Sequence, residues 1–196
     1  MVKYMDKKVG ALIDYINMKG IASNTVILFV SDNGTPSQIT SINNGVPIRG
    51  GKGYAIQFGT HVPLVVSWPD HIAPKSRNNN MINFPDFMPL LASIANTTIP
   101  ADNIKTDGIN FYSSLYNPTD TIREWGFCHW KPQTSNSVTR WSQTLQYKLY
   151  DSVNRSRFYN IEIDSLEKSP ITSRKITPAE KIIKQQLQEV LDQMHQ

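Results

Sequence analysis

The 196-residue sequence contains a single cysteine, Cys128, and no long apolar run. One cysteine excludes a disulfide framework within the chain and a structural zinc site built from four cysteines. No window approaches the ~18 consecutive apolar residues that a transmembrane helix requires, so no membrane partner is expected. The four histidines show no short spacing typical of metal ligands; they lie at positions 61, 71, 129 and 195.

The sequence also contains few charged residues, 18% of the total, and its net charge is +4. Such a mildly basic balance permits an anionic partner without demanding one. No basic stripe with interleaved aromatic residues is present, so we expect no nucleic-acid partner. Residues 1–8 lack the apolar run and cleavage site of a signal peptide, which leaves either a cytoplasmic protein or a chain whose natural start lies elsewhere.

The first 118 residues have the pattern of an α/β fold. One apolar stripe at helical spacing predicts a helix that ends near Gly20; its members are Met5, Val9, Leu12, Ile13 and Ile16. The nearly continuous apolar runs at 25–30 and 62–68 are typical of strands buried on both faces of a parallel sheet. A polar, glycine-dotted loop joins them over residues 35–59, and a second helix is predicted over 84–95.

The pattern changes after residue 118, and we therefore expect two units, 1–118 and 119–196. Short aromatic-rich segments predict a small antiparallel sheet; they cover residues 123–130, 137–145, 147–150 and 157–161. Thr177 and Glu180 form a capping box with Pro178 at its first position, which predicts a C-terminal helix.

Asp32 and Asn33 follow the first predicted strand, at the edge where open α/β sheets bind ligands. A carboxylate beside an amide carbonyl offers two hard oxygen donors that suit Ca²⁺ or Mg²⁺. Two donors do not make a site, and the alternative is a simple Asp-Asn-Gly turn, since Asn and Gly tolerate positive φ. Local sequence alone favours the turn.

Residues 49–53, Arg-Gly-Gly-Lys-Gly, could close backbone N–H groups and two cations on an oxyanion. They are not a phosphate-binding P-loop, because Val46 stands six positions before Lys52 and no Ser or Thr follows it. A solvated loop is the alternative. His61 is either a contact to a bound anion or a structural histidine. Cys128 and its neighbour His129 point to opposite faces of a strand, so they do not form a nucleophile and its base. The thiol is expected to be buried and inert.

The ordered combination of these segments resembles the sulfatase family. The matching segments are residues 4–10, 24–26, 31–34, 49–53, 62–69, 84–91, 107–110, 147–150 and 158–161. The resemblance is strong up to residue 110 and looser beyond it, and it covers only the second half of a sulfatase. The family's N-terminal half carries Cys/Ser-x-Pro-x-Arg, whose first residue becomes formylglycine. Cys128, followed by His129 and Trp130, does not match that motif.

The resemblance implies a partial alkaline-phosphatase-like α/β sandwich, with a small antiparallel sheet and a C-terminal helix. It implies that Asp32 and Asn33 are two of the Ca²⁺ ligands, an incomplete site in this chain. It further implies that Lys52 contacts the sulfate in a catalytic role and that His61 binds substrate. Formylglycine is expected only in the missing N-terminal half.

The sequence therefore predicts the C-terminal part of a sulfatase, which hydrolyses sulfate esters to alcohol and sulfate and is inactive without its formylglycine half. The alternative is a non-catalytic, truncated or split module that retains an anion-binding loop. The expected partner of the complete enzyme is a sulfated small molecule or carbohydrate. An uncovered sheet would also favour self-association. The family is typically periplasmic, secreted or lysosomal, and the compartment stays open.

Overall fold

The computed structural model describes residues 1–100, 106–132 and 136–194. Its helices are α1 (Val2–Met18), α2 (Gln57–Thr60), α3 (Phe87–Ile94) and α4 (Pro178–Gln193). Its strands are β1 (Ile27–Val30), β2 (Thr40–Asn43), β3 (Val46–Arg49), β4 (Leu64–Ser67), β5 (Gly126–Trp130), β6 (Thr139–Gln143), β7 (Tyr147–Tyr150) and β8 (Phe158–Asn160). Within the described ranges, none of the helices combines the length and apolar character needed to cross a bilayer.

Strands β1 and β4 pair with each other in the antiparallel direction, from Ile27 opposite Ser67 to Val30 opposite Leu64. The prediction of a parallel pair buried on both faces was wrong. Strand β1 is half-buried along its length, and β4 alternates between half-buried and exposed residues. An apolar run reports where a strand lies relative to the core, but it carries no information about the direction of its neighbour.

Strands β2 and β3 form a hairpin inside the segment that the sequence predicted as a loop. Asn44 and Gly45 connect the strands with φ values of 49° and 81°. Positive φ at both central residues is characteristic of a type I′ turn. The backbone twist of this turn matches the twist of the two strands that it connects. The Asn-Gly pair at 44–45 was therefore a hairpin signal that the sequence interpretation missed.

Helix α3 confirms most of the helix predicted over 84–95, with a 3-10 turn at Phe84–Asp86 in front of it. Asp86 is fully buried and accepts hydrogen bonds from the backbone N–H groups of Asn83 and Ile109, both at 2.7 Å. Its carboxylate also forms an ion pair with Arg123. One side chain thus joins the start of α3, the turn near residue 109 and the segment that leads into β5.

The four-stranded antiparallel sheet has the order β5-β6-β7-β8 and confirms the predicted C-terminal sheet. One face packs on α4, where Leu149 and Phe158 contact Leu187. The opposite face carries an aromatic cluster around Trp141, Tyr150, Tyr159 and Ile161, with Ala55 packed against it. The capping box of Thr177 and Glu180 begins α4 as predicted. The unit boundary at residue 118 stays a prediction.

Helix α1 confirms the predicted N-terminal helix, but none of its residues is buried. Met5, Leu12 and Ile13 on its apolar stripe are 46%, 55% and 38% exposed. The predicted helix therefore forms, but three of the five residues of its apolar stripe are exposed.

Candidate functional site

The Asp32 loop (residues 31–36) begins where β1 ends. Asp32 is exposed, and its Oδ1 accepts a hydrogen bond from the backbone N–H of Asn33 at 2.9 Å. The Ser31 hydroxyl donates to the carbonyl of Asn33 at 3.1 Å. Neither Asn33 nor Gly34 has a positive φ, so a turn at this pair does not use the left-handed region.

The Lys52 loop (residues 49–53) lies alongside the Asp32 loop. The backbone N–H of Lys52 donates to the carbonyl of Thr35 at 3.0 Å, which joins the two loops directly. The side chain of Arg49 donates through Nε to the carbonyl of Ser37, just beyond the Asp32 loop, at 2.6 Å. The Lys52 side chain is exposed to solvent. Both cations of this loop are exposed, and Lys52 is the one whose side chain makes no hydrogen bond to the described residues.

Glycines allow these loops to approach backbone to backbone. A Cβ atom on Gly51 would lie 2.6 Å from the carbonyl carbon of Phe58, and one on Gly59 would lie 2.4 Å from the carbonyl oxygen of Gly51. Real Cβ atoms do not come this close to backbone atoms. Gly51 and Gly59 are thus required by close packing of main chain on main chain.

His61 ends the short helix α2, and its backbone N–H donates to the carbonyl of Gln57 at 2.8 Å. Two residues earlier, the carbonyl of Gly59 accepts from the N–H of Gly34 at 3.0 Å. That bond attaches the turn before His61 to the Asp32 loop. The structure therefore brings Asp32, Asn33, Lys52 and His61 onto three adjoining loops, although they span 30 positions of the sequence.

The oxygen donors of Asp32 and Asn33 fit a hard divalent cation in kind but not in number. Ca²⁺ takes about six to eight oxygen ligands, and these two side chains supply a minority of them. Across residues 1–100, 106–132 and 136–194, no group of three or more His, Cys, Asp or Glu side chains is arranged to hold a metal ion. The described part of the chain thus offers two donors of suitable chemistry, not a closed site.

Cys128 lies in β5 and is half-buried, where the sequence predicted a buried thiol. Burial raises the pKa of Cys128, and the nearby Lys148 opposes that shift. A raised pKa keeps the group in its thiol form, which is the unreactive form. Its neighbour His129 is exposed and accepts at Nδ1 from Arg140, at 3.2 Å, so it faces away as predicted.

A buried charged group that the sequence interpretation missed lies close to these loops. Lys148 in β7 is fully buried, and its Nζ donates to the carbonyl of Ala55 and to Oε1 of Glu167, the latter at 2.9 Å. Burial lowers the pKa of Lys148, and Glu167 acts in the opposite direction. The only sequence signal was a lysine inside an otherwise apolar, aromatic strand. Ala55 lies 93 positions away in the sequence, so its contact could not be inferred.

Solved structures define the class of fold. The protein BT4656, solved in complex with its substrate D-glucosamine-2-N,6-O-disulfate, superposes with a TM-score of 0.74 over 98% of this chain and 38% of its own, at 22% identity. The PsFucS1 sulfatase from Pseudoalteromonas sp. gives a TM-score of 0.74 over 96% of this chain and 40% of its own, at 22% identity. The fold is therefore the α/β fold of the alkaline-phosphatase-like sulfatases.

Family models give the more particular assignment. The model "Sulfatase" matches residues 1–97, and the model "N-sulphoglucosamine sulphohydrolase, C-terminal" matches residues 52–196. The second match covers well over half of the chain. The chain belongs to the sulfatase family.

Curated relatives agree with that assignment and show how much of a sulfatase is represented. A sulfatase of Formosa agariphila is 28% identical over 177 residues, which are 85% of this chain and 32% of the relative. Bovine arylsulfatase A is 32% identical over 108 residues, which are 54% of this chain and 20% of the relative. The chain thus spans a third or less of the length of these two relatives.

Proposed function

We propose that this chain is the C-terminal part of a sulfatase that hydrolyses sulfate esters to alcohol and sulfate. The observation that carries the proposal is the main-chain contact between the loops of Asp32 and Lys52, through the Lys52 N–H and the Thr35 carbonyl. That contact joins the loop that carries two oxygen donors to the loop that carries an exposed lysine. Membership of the sulfatase family supports the proposal independently.

In the complete enzyme, Lys52 would contact the sulfate and offset the negative charge that develops in the transition state. Asp32 and Asn33 would supply two of the Ca²⁺ ligands, and His61 would be a further substrate contact. When bound, Ca²⁺ supplies positive charge next to the sulfate, and formylglycine, formed elsewhere in a complete sulfatase, supplies the nucleophile.

We propose that the 196-residue chain is inactive by itself. Its single cysteine lies within strand β5 and is not followed by the residues of the formylglycine motif. Two oxygen donors should also hold Ca²⁺ poorly. Incubation with a chromogenic aryl sulfate tests this directly, and sulfate release above the uncatalysed background would overturn it.

For the substrate of the complete enzyme we propose a sulfated carbohydrate. Two findings support this class: BT4656 was solved with a disulfated glucosamine as its substrate, and the matching C-terminal model is named after N-sulphoglucosamine sulphohydrolase. Sulfate is the part of such a ligand that Lys52 would contact, so inorganic sulfate is the appropriate probe for this chain.

Titration of the chain with inorganic sulfate, followed by amide NMR, tests the role of Lys52. We expect Lys52→Ala to weaken sulfate binding about tenfold or more, because a hydrogen bond to a charged group contributes about 1.5–3 kcal/mol. Lys3→Ala removes an exposed lysine of α1 and serves as the matched control. Equal sulfate affinities for the two variants would overturn the assignment of Lys52.

A further inference from the structure

The ammonium group of Lys148 is the centre of a buried polar cluster in the aromatic face of the C-terminal sheet. Besides Ala55 and Glu167, its Nζ lies over the rings of Trp141 and Tyr150, at 4.5 Å and 4.9 Å from their centroids. Tyr150 in turn donates its hydroxyl to Oε2 of Glu167. The side chains of Lys148 and Glu167 are 1% and 3% exposed. This arrangement satisfies both charges with hydrogen bonds in a nearly dry environment.

The contact to Ala55 connects this cluster to the Lys52 loop. Ala55 lies three residues after Lys52, and the intervening turn is closed by a hydrogen bond of 2.9 Å from the Tyr54 N–H to the Gly51 carbonyl. On its other side, the loop is held by the bond from the Lys52 N–H to the Thr35 carbonyl at 3.0 Å. The Lys52 loop is therefore anchored at Lys52 by the Asp32 loop and three residues later by Lys148.

We propose that Lys148 is a positioning residue, whose ammonium group fixes the carbonyl of Ala55 and so sets the position from which Lys52 meets sulfate. The role of Lys52 rests on the proposed function, whereas the anchoring of the loop does not. A charge-assisted hydrogen bond is directional as well as strong, and it holds a carbonyl in one place where an apolar contact would allow it to slide.

Stability alone does not account for a lysine at this position. Replacing a buried ion pair with apolar groups of similar volume is often neutral or stabilising, so a well-packed core would not require these charges. The feature that an apolar side chain cannot reproduce is the hydrogen bond to the Ala55 carbonyl. That bond joins the C-terminal sheet to the loop that presents Lys52.

The test uses the full chain and the double variant Lys148→Met with Glu167→Gln. Together these changes remove both charges, keep similar volumes and leave an amide oxygen to accept from Tyr150. The matched control is Ser142→Ala, which loses a buried hydrogen bond of 2.7 Å to the Leu187 carbonyl on the other face of the same sheet. The readouts are hydrogen exchange at the Lys52 and Tyr54 amides, the unfolding midpoint and the affinity for inorganic sulfate.

We expect exchange at these two amides to accelerate about tenfold in the double variant, because the loop opens locally. Sulfate affinity should fall severalfold, while Ser142→Ala changes neither quantity even if it lowers the unfolding midpoint. Tyr150→Phe removes only the hydroxyl that holds Glu167 and should give a smaller effect in the same direction. This variant provides the answer if the double variant does not fold.

Unchanged exchange at the Lys52 and Tyr54 amides in both variants would overturn the proposal. It would also be overturned if the loop opened without any loss of sulfate affinity while Lys52→Ala still lowered that affinity. If Lys52→Ala left sulfate affinity unchanged and the loop amides exchanged faster, the proposed function would fail and the anchoring by Lys148 would stand.

Discussion

Gly34 and Phe58 approach so closely that a Cβ atom on Gly34 would lie 1.8 Å from the Phe58 carbonyl oxygen. Gly34 belongs to the Asp32 loop and Phe58 to the short helix α2. Their contact explains why glycine follows the Asp-Asn pair, since Gly34 has an ordinary negative φ and needs no conformational freedom. The Asp32 loop and α2 can therefore lie this close together only because Gly34 has no side chain.

The first prediction concerns this contact. We expect Gly34→Ala to lower the free energy of unfolding by about 1–3 kcal/mol, because one loop must move away from the other. Gly10→Ala is the control, since a Cβ there meets nothing within 4 Å. Because Gly10 lies in the middle of α1, Gly10→Ala should raise the free energy of unfolding by roughly 0.5–1 kcal/mol. Urea unfolding of both variants checks the prediction, which fails if Gly34→Ala is neutral.

Asp86 supports a second prediction. Asp86→Asn should lower the free energy of unfolding by about 3–5 kcal/mol, because it leaves the buried guanidinium of Arg123 without its anion. Asp192→Asn changes an exposed carboxylate on α4 and should stay within about 0.5 kcal/mol of the parent chain. Denaturant midpoints of the two variants measure the difference. Similar midpoints would mean that the ion pair contributes little.

The capping box of α4 leads to a prediction of pH dependence. The carboxylate of Glu180 accepts from the backbone N–H of Thr177 at 2.8 Å and from its hydroxyl at 2.9 Å. These bonds hold the pKa of Glu180 below its ordinary value of 4.5. Because the folded pKa is depressed, the contribution of Glu180 is fully present above pH 4.5 and is lost as the pH falls through the lower folded value.

We therefore expect the thermal unfolding midpoint to fall as the pH is lowered from 4.5 through the folded pKa of Glu180. The midpoint of Glu180→Gln should fall less steeply, because this variant has no carboxylate to protonate at position 180. Glu189→Gln removes another carboxylate of α4, exposed and outside the capping box, and should keep the steeper profile. Thermal melts followed by circular dichroism across this pH range provide the measurement. Identical profiles for the two variants would contradict the prediction.

Self-association is the last prediction. The exposed stripe of α1 offers Met5, Leu12 and Ile13 to another surface, and apolar patches of this kind favour association. We expect sedimentation velocity to show oligomers that grow with concentration, and Leu12→Gln to reduce them. Lys7→Gln changes an exposed residue on the polar side of α1 and should have no effect. A chain that stays monomeric at every concentration would contradict the prediction that the exposed stripe of α1 drives association.

Local patterns in the sequence predicted the elements well and their mutual arrangement less well. Thr177 and Glu180 identify the start of α4 because capping is decided within one helical turn. The direction of β4 relative to β1 depends on how the chain returns over residues 31–63, which no local pattern encodes. For that reason the parallel pairing was wrong even though both strands were located correctly.

The candidate site was predictable to a different extent. Asp32, Asn33, Lys52 and His61 were identified by the resemblance to sulfatases, and the structure adds the contacts that bring their loops together. Their roles stay predictions. The anchoring of Ala55 by Lys148 could not be predicted, because it depends on a contact between residues 93 positions apart.

The backbone contacts among the three loops have a consequence for how this site can diversify. Because glycines, main-chain hydrogen bonds and the proposed anchor at Lys148 hold the Lys52 loop, the exposed side chains of Thr35 and Tyr54 do not set its position. Mutations can change these side chains while the loops keep their positions relative to one another. The surroundings of Lys52 can therefore change by surface substitutions alone, in evolution or in the laboratory, while the loop that carries the proposed sulfate contact keeps its position.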